Sequence, residues 1–165
     1  MKKTCFTITI AVFFLIWLNG IQAQIPQVKL NQVELVKQFA GKWECKISKD
    51  STLFWNANSY GTGFEVSFKG VAKGKVFVEG KQLWGYDKQQ DKFIIATMYK
   101  GQGIKIYSAW FLSNKKYESI NYNDISNPET ASWKIEGEFK SPDMYTETTL
   151  VNNKTIRTHT NTRVK

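Results

Sequence analysis

The sequence predicts an all-β chain that closes into an antiparallel up-and-down barrel of about eight to ten strands, preceded by one short helix. Three observations carry that expectation. At Gly41 the hydrophobic period changes from the helical 3.6 to the strand period of 2, and it stays there to the C-terminus. The runs are rich in aromatic and β-branched residues. The stretches between them are short and hold turn-forming residues, so consecutive strands are joined as hairpins. A sheet of that many strands leaves two unpaired edges unless it closes on itself.

The chain opens with an address. Lys2 and Lys3 precede an uncharged apolar run from Thr4 to Leu18, and Asn19-Gly20-Ile21-Gln22-Ala23 has the small, polar character of a cleavage region. The run is shorter than the roughly 20 residues of a membrane-spanning helix, so cleavage after Ala23 is expected rather than anchoring. A lipoprotein would need cysteine at the cut, where Gln24 stands. The expected product is exported, periplasmic or extracellular, with no transmembrane span after cleavage. Residues 1–23 are read as signal peptide, 24–40 as leader and short helix, and 41–165 as one barrel domain.

Removing Lys2 and Lys3 leaves 21 basic residues against 14 acidic ones and lowers the net charge from +9 to +7. That charge is scattered as single lysines and short groups such as Lys73-Gly74-Lys75, whereas a nucleic-acid binder concentrates it on one face or helix. No nucleic-acid partner is expected. Cys5 lies within the signal, so Cys45 is the lone remaining cysteine and no intrachain disulfide can form. Its alternation with Trp43 and Ile47 reads as a small buried hydrophobe.

Val33, Val36 and Phe39 recur at helical spacing, which predicts a helix from Asn31 to Ala40 with Asn31 as N-cap and Gly41 as its stop. Beyond it, Trp43, Cys45 and Ile47 alternate with Lys42, Glu44 and Lys46. Phe64, Val66 and Phe68 alternate with Glu65, Ser67 and Lys69, and Trp133, Ile135 and Phe139 with Lys134, Glu136 and Glu138. Four further runs lie around Lys75–Asp87, Asp91–Gly101, Gly103–Ser113 and Lys116–Asp124, and a last hairpin turns at Asn152-Asn153. Together they make about nine strands. Lys69-Gly70, Lys73-Gly74, Gly101-Gln102-Gly103, Ser126-Asn127-Pro128 and Ser141-Pro142-Asp143 are read as turns.

A short helix followed by Gly41-x-Trp43 at the start of the first strand, and then a meander of strands, resembles the calycin superfamily of lipocalins and related small barrels. The segment from Lys81 to Phe111, with its Gly85-Tyr86-Asp87 turn, is similar to bacterial lipocalin-like proteins. The resemblance implies that Trp43 plugs the closed end beneath the helix. It also implies a late arginine lying across that tryptophan, for which Arg157 and Arg163 are the candidates. The cysteine pairs of many lipocalins are absent here, and the aspartate-rich turn after the third strand is not evident.

Chemistry has few carriers. His159 is the one histidine, so any acid–base or metal proposal passes through it. A two-residue turn at Asn152-Asn153 places Arg157 and His159 on one face with Thr146, Thr148 and Leu150. A three-residue loop instead sets Glu147 opposite His159, because a one-residue slip reverses every side chain. Asp87 precedes a polar loop and reads as a turn former. Zinc would need three or four clustered ligands, which the sequence lacks. Haem held by His159 is an alternative suggested by nitrobindin-type barrels, although their Gly-x-Trp-x-Gly-x-Gly strand is here Gly41-Lys42-Trp43-Glu44-Cys45-Lys46-Ile47.

The expected function is therefore non-catalytic, with no cofactor: a barrel that takes up a small apolar or amphipathic molecule. Phe64, Val66, Phe68, Trp84, Trp110 and Trp133 are expected to meet its apolar body, and Arg157 or His159 a polar or anionic head. Tyr86, Tyr99, Tyr107 and Tyr122 also fall on predicted strands, and aromatic side chains with polar tips suit a partly wet lining. The same aromatics could instead fill the lumen. In that case the protein becomes an envelope interaction module acting through its surface. An enzyme acting through His159 or Asp87 ranks third. Intact-mass measurement on the chain from an exporting host is expected to show an N-terminus at Gln24; retention of residues 1–23 would overturn the cleavage reading.

Overall fold

The computed structural model describes residues 29–165, so the expected signal peptide and most of the expected leader lie outside the described residues. A five-residue helix α1 (Gln32–Val36) runs into one 3₁₀ turn, Lys37–Phe39. Ten strands follow: β1 (Gly41–Ser48), β2 (Ser51–Tyr60), β3 (Gly63–Ala72), β4 (Lys75–Asp87) and β5 (Lys92–Tyr99) form the first half. The second half is β6 (Ile104–Phe111), β7 (Lys116–Asn121), β8 (Trp133–Ser141), β9 (Met144–Val151) and β10 (Lys154–Arg163). Each strand pairs antiparallel with the next, and β10 returns to β1, closing the barrel.

The strand absent from the sequence reading is β2. Its inward Leu53, Trp55 and Ala57 alternate with Thr52, Phe54, Asn56 and Asn58, so one outward position is aromatic and two are turn-prone asparagines. Pairing with β3 along its whole length and with β1 from Ser51 to Ala57 supplies what the local pattern lacks. Lys69-Gly70, read as a turn, lies inside β3. Gly70 sits at a bulge facing Val78, where a Cβ would fall 2.4 Å from the Phe77 ring. Glycine in a strand interior marks such a bulge or close approach as often as a turn. Tyr122, placed on a strand by its neighbours, falls just past β7 in a 3₁₀ turn.

The helix is cut to fit the barrel's end. Asn31 caps it by accepting from the Glu34 N–H at 3.2 Å. The buried side-chain amide of Gln32 donates to the Phe111 carbonyl at 3.0 Å and accepts from the Phe111 N–H at 2.7 Å, answering both backbone groups where β6 ends. Phe39 then enters the barrel axis. Its ring meets Tyr117 and Phe139 at 5.0 Å, Trp84 at 5.3 Å and Tyr145 at 5.6 Å, all edge-on. Edge-to-face packing of this kind is favourable beyond simple burial. The plug is thus Phe39, and Trp43 stands beside it in the wall.

Trp43 is fully buried between two cross-strand neighbours. Trp55 stacks on it at 5.6 Å and 14°, and the Arg163 guanidinium lies 4.2 Å from its ring centroid. Arg163 also donates to the carbonyls of Ala40, Gln38 (3.1 Å) and Pro142 (2.9 Å) and pairs with Asp143 at 3.2 Å. Of the two arginines offered by the resemblance, it is Arg163 that crosses the tryptophan. Gly41 is required at this corner: its φ of +103° is hostile to L side chains, and a Cβ would sit 2.9 Å from an Arg163 nitrogen.

The seam that Arg163 joins is short. Register pairs between β1 and β10 run only from Trp43↔Arg163 to Cys45↔Asn161, whereas β2 and β3 pair from end to end. Replacing Arg163 with methionine keeps the stem and removes every charge-assisted bond. Equilibrium urea denaturation is expected to show a loss of about 2–4 kcal/mol, with lysine rescuing little because it lacks the planar fork.

Candidate functional site

Aromatic side chains fill the closed end, and the barrel is hollow above them. The cavity has a volume of about 460 Å³. Phe39, Trp55 and Tyr145 form its floor, and Val66, Phe68, Val78, Trp84, Phe93 and Ile95 make an apolar wall from β3, β4 and β5. Opposite, β7, β9 and β10 contribute Tyr117, Ser119, Glu147, Arg157 and Asn161, a polar stripe on an otherwise apolar surface.

The last hairpin decides which residues join that stripe. Asn152 and Asn153 form a two-residue turn with φ of 49° and 60°, the left-handed pair that tight hairpins favour. A bulge between Thr155 and Arg157 then shifts the register. Arg157 consequently pairs with Thr149, His159 with Glu147, and Asn161 with Tyr145. The turn is the shorter alternative, yet the pairing is that of the longer loop, since a bulge adds one residue to one strand.

Glu147 sits at the centre of a hydrogen-bonded group. Tyr117 Oη donates to Glu147 Oε1 at 2.7 Å, and Asn161 Nδ2 donates to Oε2 at 3.4 Å. Asn161 Oδ1 in turn accepts from Trp55 Nε1 at 3.4 Å. Tyr117 reaches across from β7 because the intervening strand carries glycine: a Cβ on Gly137 would lie 2.0 Å from the Tyr117 ring. Burial pushes the Glu147 carboxyl above its ordinary value, against the opposing pull of the Tyr117 and Asn161 hydrogen bonds and the Arg157 charge. Burial and the same carboxylate raise Tyr117 well above the ordinary phenol range, and burial raises the inward thiol of Cys45.

The residues singled out by sequence are distributed unevenly. Val66, Phe68, Trp84, Trp133 and Arg157 line the cavity, and Arg157 Nε donates to Thr149 Oγ1 at 3.3 Å near the mouth. Phe64 is buried below it, edge-on to Trp84 at 6.1 Å. Trp110 borders the cavity from the wall, between the inward Ala109 and Phe111, with Lys92 Nζ 4.1 Å over its ring. Gly41, Trp43 and Arg163 belong to the closed end. His159 faces Glu147 in register, on the same strand face as the cavity-lining Arg157 and Asn161, and burial followed by the Arg157 charge lowers its pKa.

Tyr117 and Asn161 were missed, and Glu147 was named only as a possible neighbour of His159, the pairing that the register shows. The available signal was Gly137 inside a strand pattern, which marks a close approach by another group. Asp87 accepts from the backbone N–H groups of Gln89 (2.8 Å) and Gln90 (3.4 Å), the geometry of a turn former. Among the described residues no helix is long and apolar enough to cross a membrane, and no cluster of His, Cys, Asp and Glu is placed to hold a metal ion. Comparisons with protein-family models, with characterised proteins and with solved structures give no match.

A carboxyl whose folded pKa is raised binds more protons in the native state than in the unfolded one. Its contribution is therefore most favourable at low pH and is lost as pH rises through the folded value. Glu147→Gln is expected to be more stable than the wild type at pH 7 by on the order of 1 kcal/mol, with the two converging toward pH 4. Thermal or urea denaturation across that range checks it; parallel profiles would show that Glu147 carries no burial cost.

Proposed function

We propose that this protein is an exported, lipocalin-like carrier that holds a small apolar or amphipathic molecule within its barrel. The observation that supports the reading is the cavity itself. Its volume of about 460 Å³ lies within the range of about 300–1,000 Å³ that small-molecule sites occupy. Apolar walls with a few convergent polar groups are the usual composition of such sites. The ligand's apolar body would lie against Val66, Phe68, Trp84, Ile95, Ile135 and Trp133, all of which line the lumen. Burying it is worth roughly 25 cal/mol per Å² of apolar area removed from water. Arg157, in the same lining, is the candidate for a polar or anionic group near the mouth.

A second reading, an interaction module acting through the outer surface, draws on a different observation. Leu83, Ala96 and Ile106 stand in direct register across β4, β5 and β6, with Met98 opposite Ile104 beside them. Leu83, Met98, Ile104 and Ile106 are all exposed, and contiguous exposed apolar surface commonly marks an interaction site.

Titration with a hydrophobic fluorescent dye separates the two. Saturable binding near one dye per chain is expected, weakened about tenfold or more by Ala109→Phe, which fills the lumen opposite Phe93. Unsaturable binding that is insensitive to Ala109→Phe but abolished by Ile106→Ser would favour the surface instead.

A further inference from the structure

We infer that the cavity selects ligands carrying a hydrogen-bond donor at their inner end, with a protonated amine the best fit, and that Glu147 is the group that reads it. The inference rests on the carrier reading and specifies the ligand class for that same site.

Glu147 is an acid at the base of an apolar chamber. It projects inward one layer above Tyr145, which belongs to the floor. Its only hydrogen-bond donors among the described residues are neutral: Tyr117 Oη and Asn161 Nδ2, one to each carboxylate oxygen. A carboxylate has about four acceptor positions, so two donors leave roughly half its capacity facing the lumen. Among the described residues no salt bridge reaches Glu147, although the chain is strongly basic. A charge removed from water without a cationic partner is costly, and a cation arriving in the cavity would supply the missing partner.

Arg157 fills that role only in part: its charge acts on the Glu147 carboxyl, but the two form no salt bridge. It is exposed, it stands one inward position nearer the mouth, and its Nε is engaged by Thr149 Oγ1 at 3.3 Å. Inward positions on one strand are about 7 Å apart, which places the two opposite charges at different depths. Water screens the outer charge far more than the inner one. An amine therefore enters first and settles against Glu147. Its apolar body extends up the wall past Val66, Ile95 and Phe68 toward the mouth. A carboxylate-headed ligand would have to reverse that orientation and leave its tail against the acid.

The geometry around Glu147 is built rather than incidental. Gly137 is left without a side chain so that the Tyr117 ring can cross it, and Tyr117 then holds one carboxylate oxygen in place. Asn161 is held by Trp55, fixing the other. Two satisfied anchors orient the remaining lone pairs into the cavity.

The test compares binding of decylamine, decanol and decanoate to the full chain by dye displacement at pH 7.5, using wild type, Glu147→Gln and Arg157→Met. Wild type is expected to bind decylamine at least tenfold more tightly than decanoate. Glu147→Gln is expected to erase that preference while still binding decanol, and Arg157→Met is expected to retain it. Equal affinity for amine and carboxylate, or an amine preference that survives Glu147→Gln, overturns the assignment of the inner donor and leaves the carrier reading standing. Absence of displacement by all three probes overturns both. Circular dichroism of each variant separates lost binding from lost fold.

Discussion

The barrel depends on one side chain at its seam. Nine of the ten strand junctions join neighbours in sequence, eight through tight turns or short loops and β7–β8 through a longer connection. The junction of β1 with β10 brings together the two ends of the sheet and has only three register pairs. Arg163 reinforces it from the last residue of β10. Its guanidinium covers the Trp43 indole, and its nitrogens take the carbonyls of Gln38 and Ala40 at the end of the helical cap and of Pro142 in the β8–β9 turn. Planar, delocalised charge is suited to this: it stacks on an aromatic face while donating in plane to several acceptors. Without that junction the cap would keep its Gln32–Phe111 bonds and the Trp43 Nε1 bond to the Phe39 carbonyl, but would lose its tie to β10.

Filling and emptiness in the lumen follow from where Phe39 stops. Its ring lies within aromatic contact of Trp55, Trp84, Phe111, Tyr117, Phe139 and Tyr145, so the closed end has no room for a guest. One or two layers higher the inward positions include Ala109, Ser119 and Thr149, whose side chains are small. The polar stripe forms at that boundary. Glu147 is close enough to the packed aromatics to lose water and close enough to the hollow to face a ligand. A carboxyl placed fully within the aromatic end would be more costly, and one at the mouth would be hydrated and unselective.

Much of the fold was legible. The change of period at Gly41, the alternation in β1, β3 and β8, and the asparagine cap of the helix are local signals that packing then honours. Where tertiary pairing overrides a weak local pattern, legibility fails. Ser51–Tyr60 reads poorly as a strand because Phe54 faces outward amid asparagines, yet it is paired on both sides. Gly70 reads as a turn because glycine is common there, yet it marks a bulge that makes room for Phe77. The candidate site was the least legible part. Val66, Phe68, Trp84 and Trp133 could be picked as inward aromatic and aliphatic residues, whereas Glu147, Tyr117 and Asn161 carry no local sign of meeting.

The sequence by itself determined the period, hence the strands, the alternation that gives each strand an inside, and the glycine that opens β1 and permits close approach at Arg163. Those are properties of residues a few positions apart. Only the tertiary structure decided which arginine covers Trp43, how far the aromatics fill the lumen, and that Glu147 faces a cavity with neutral donors around it. The reason lies in the bulge between Thr155 and Arg157. One extra residue there reverses the side-chain faces of β10 relative to β9, and the same strand goes on to pair with β1, a contact between opposite ends of the chain.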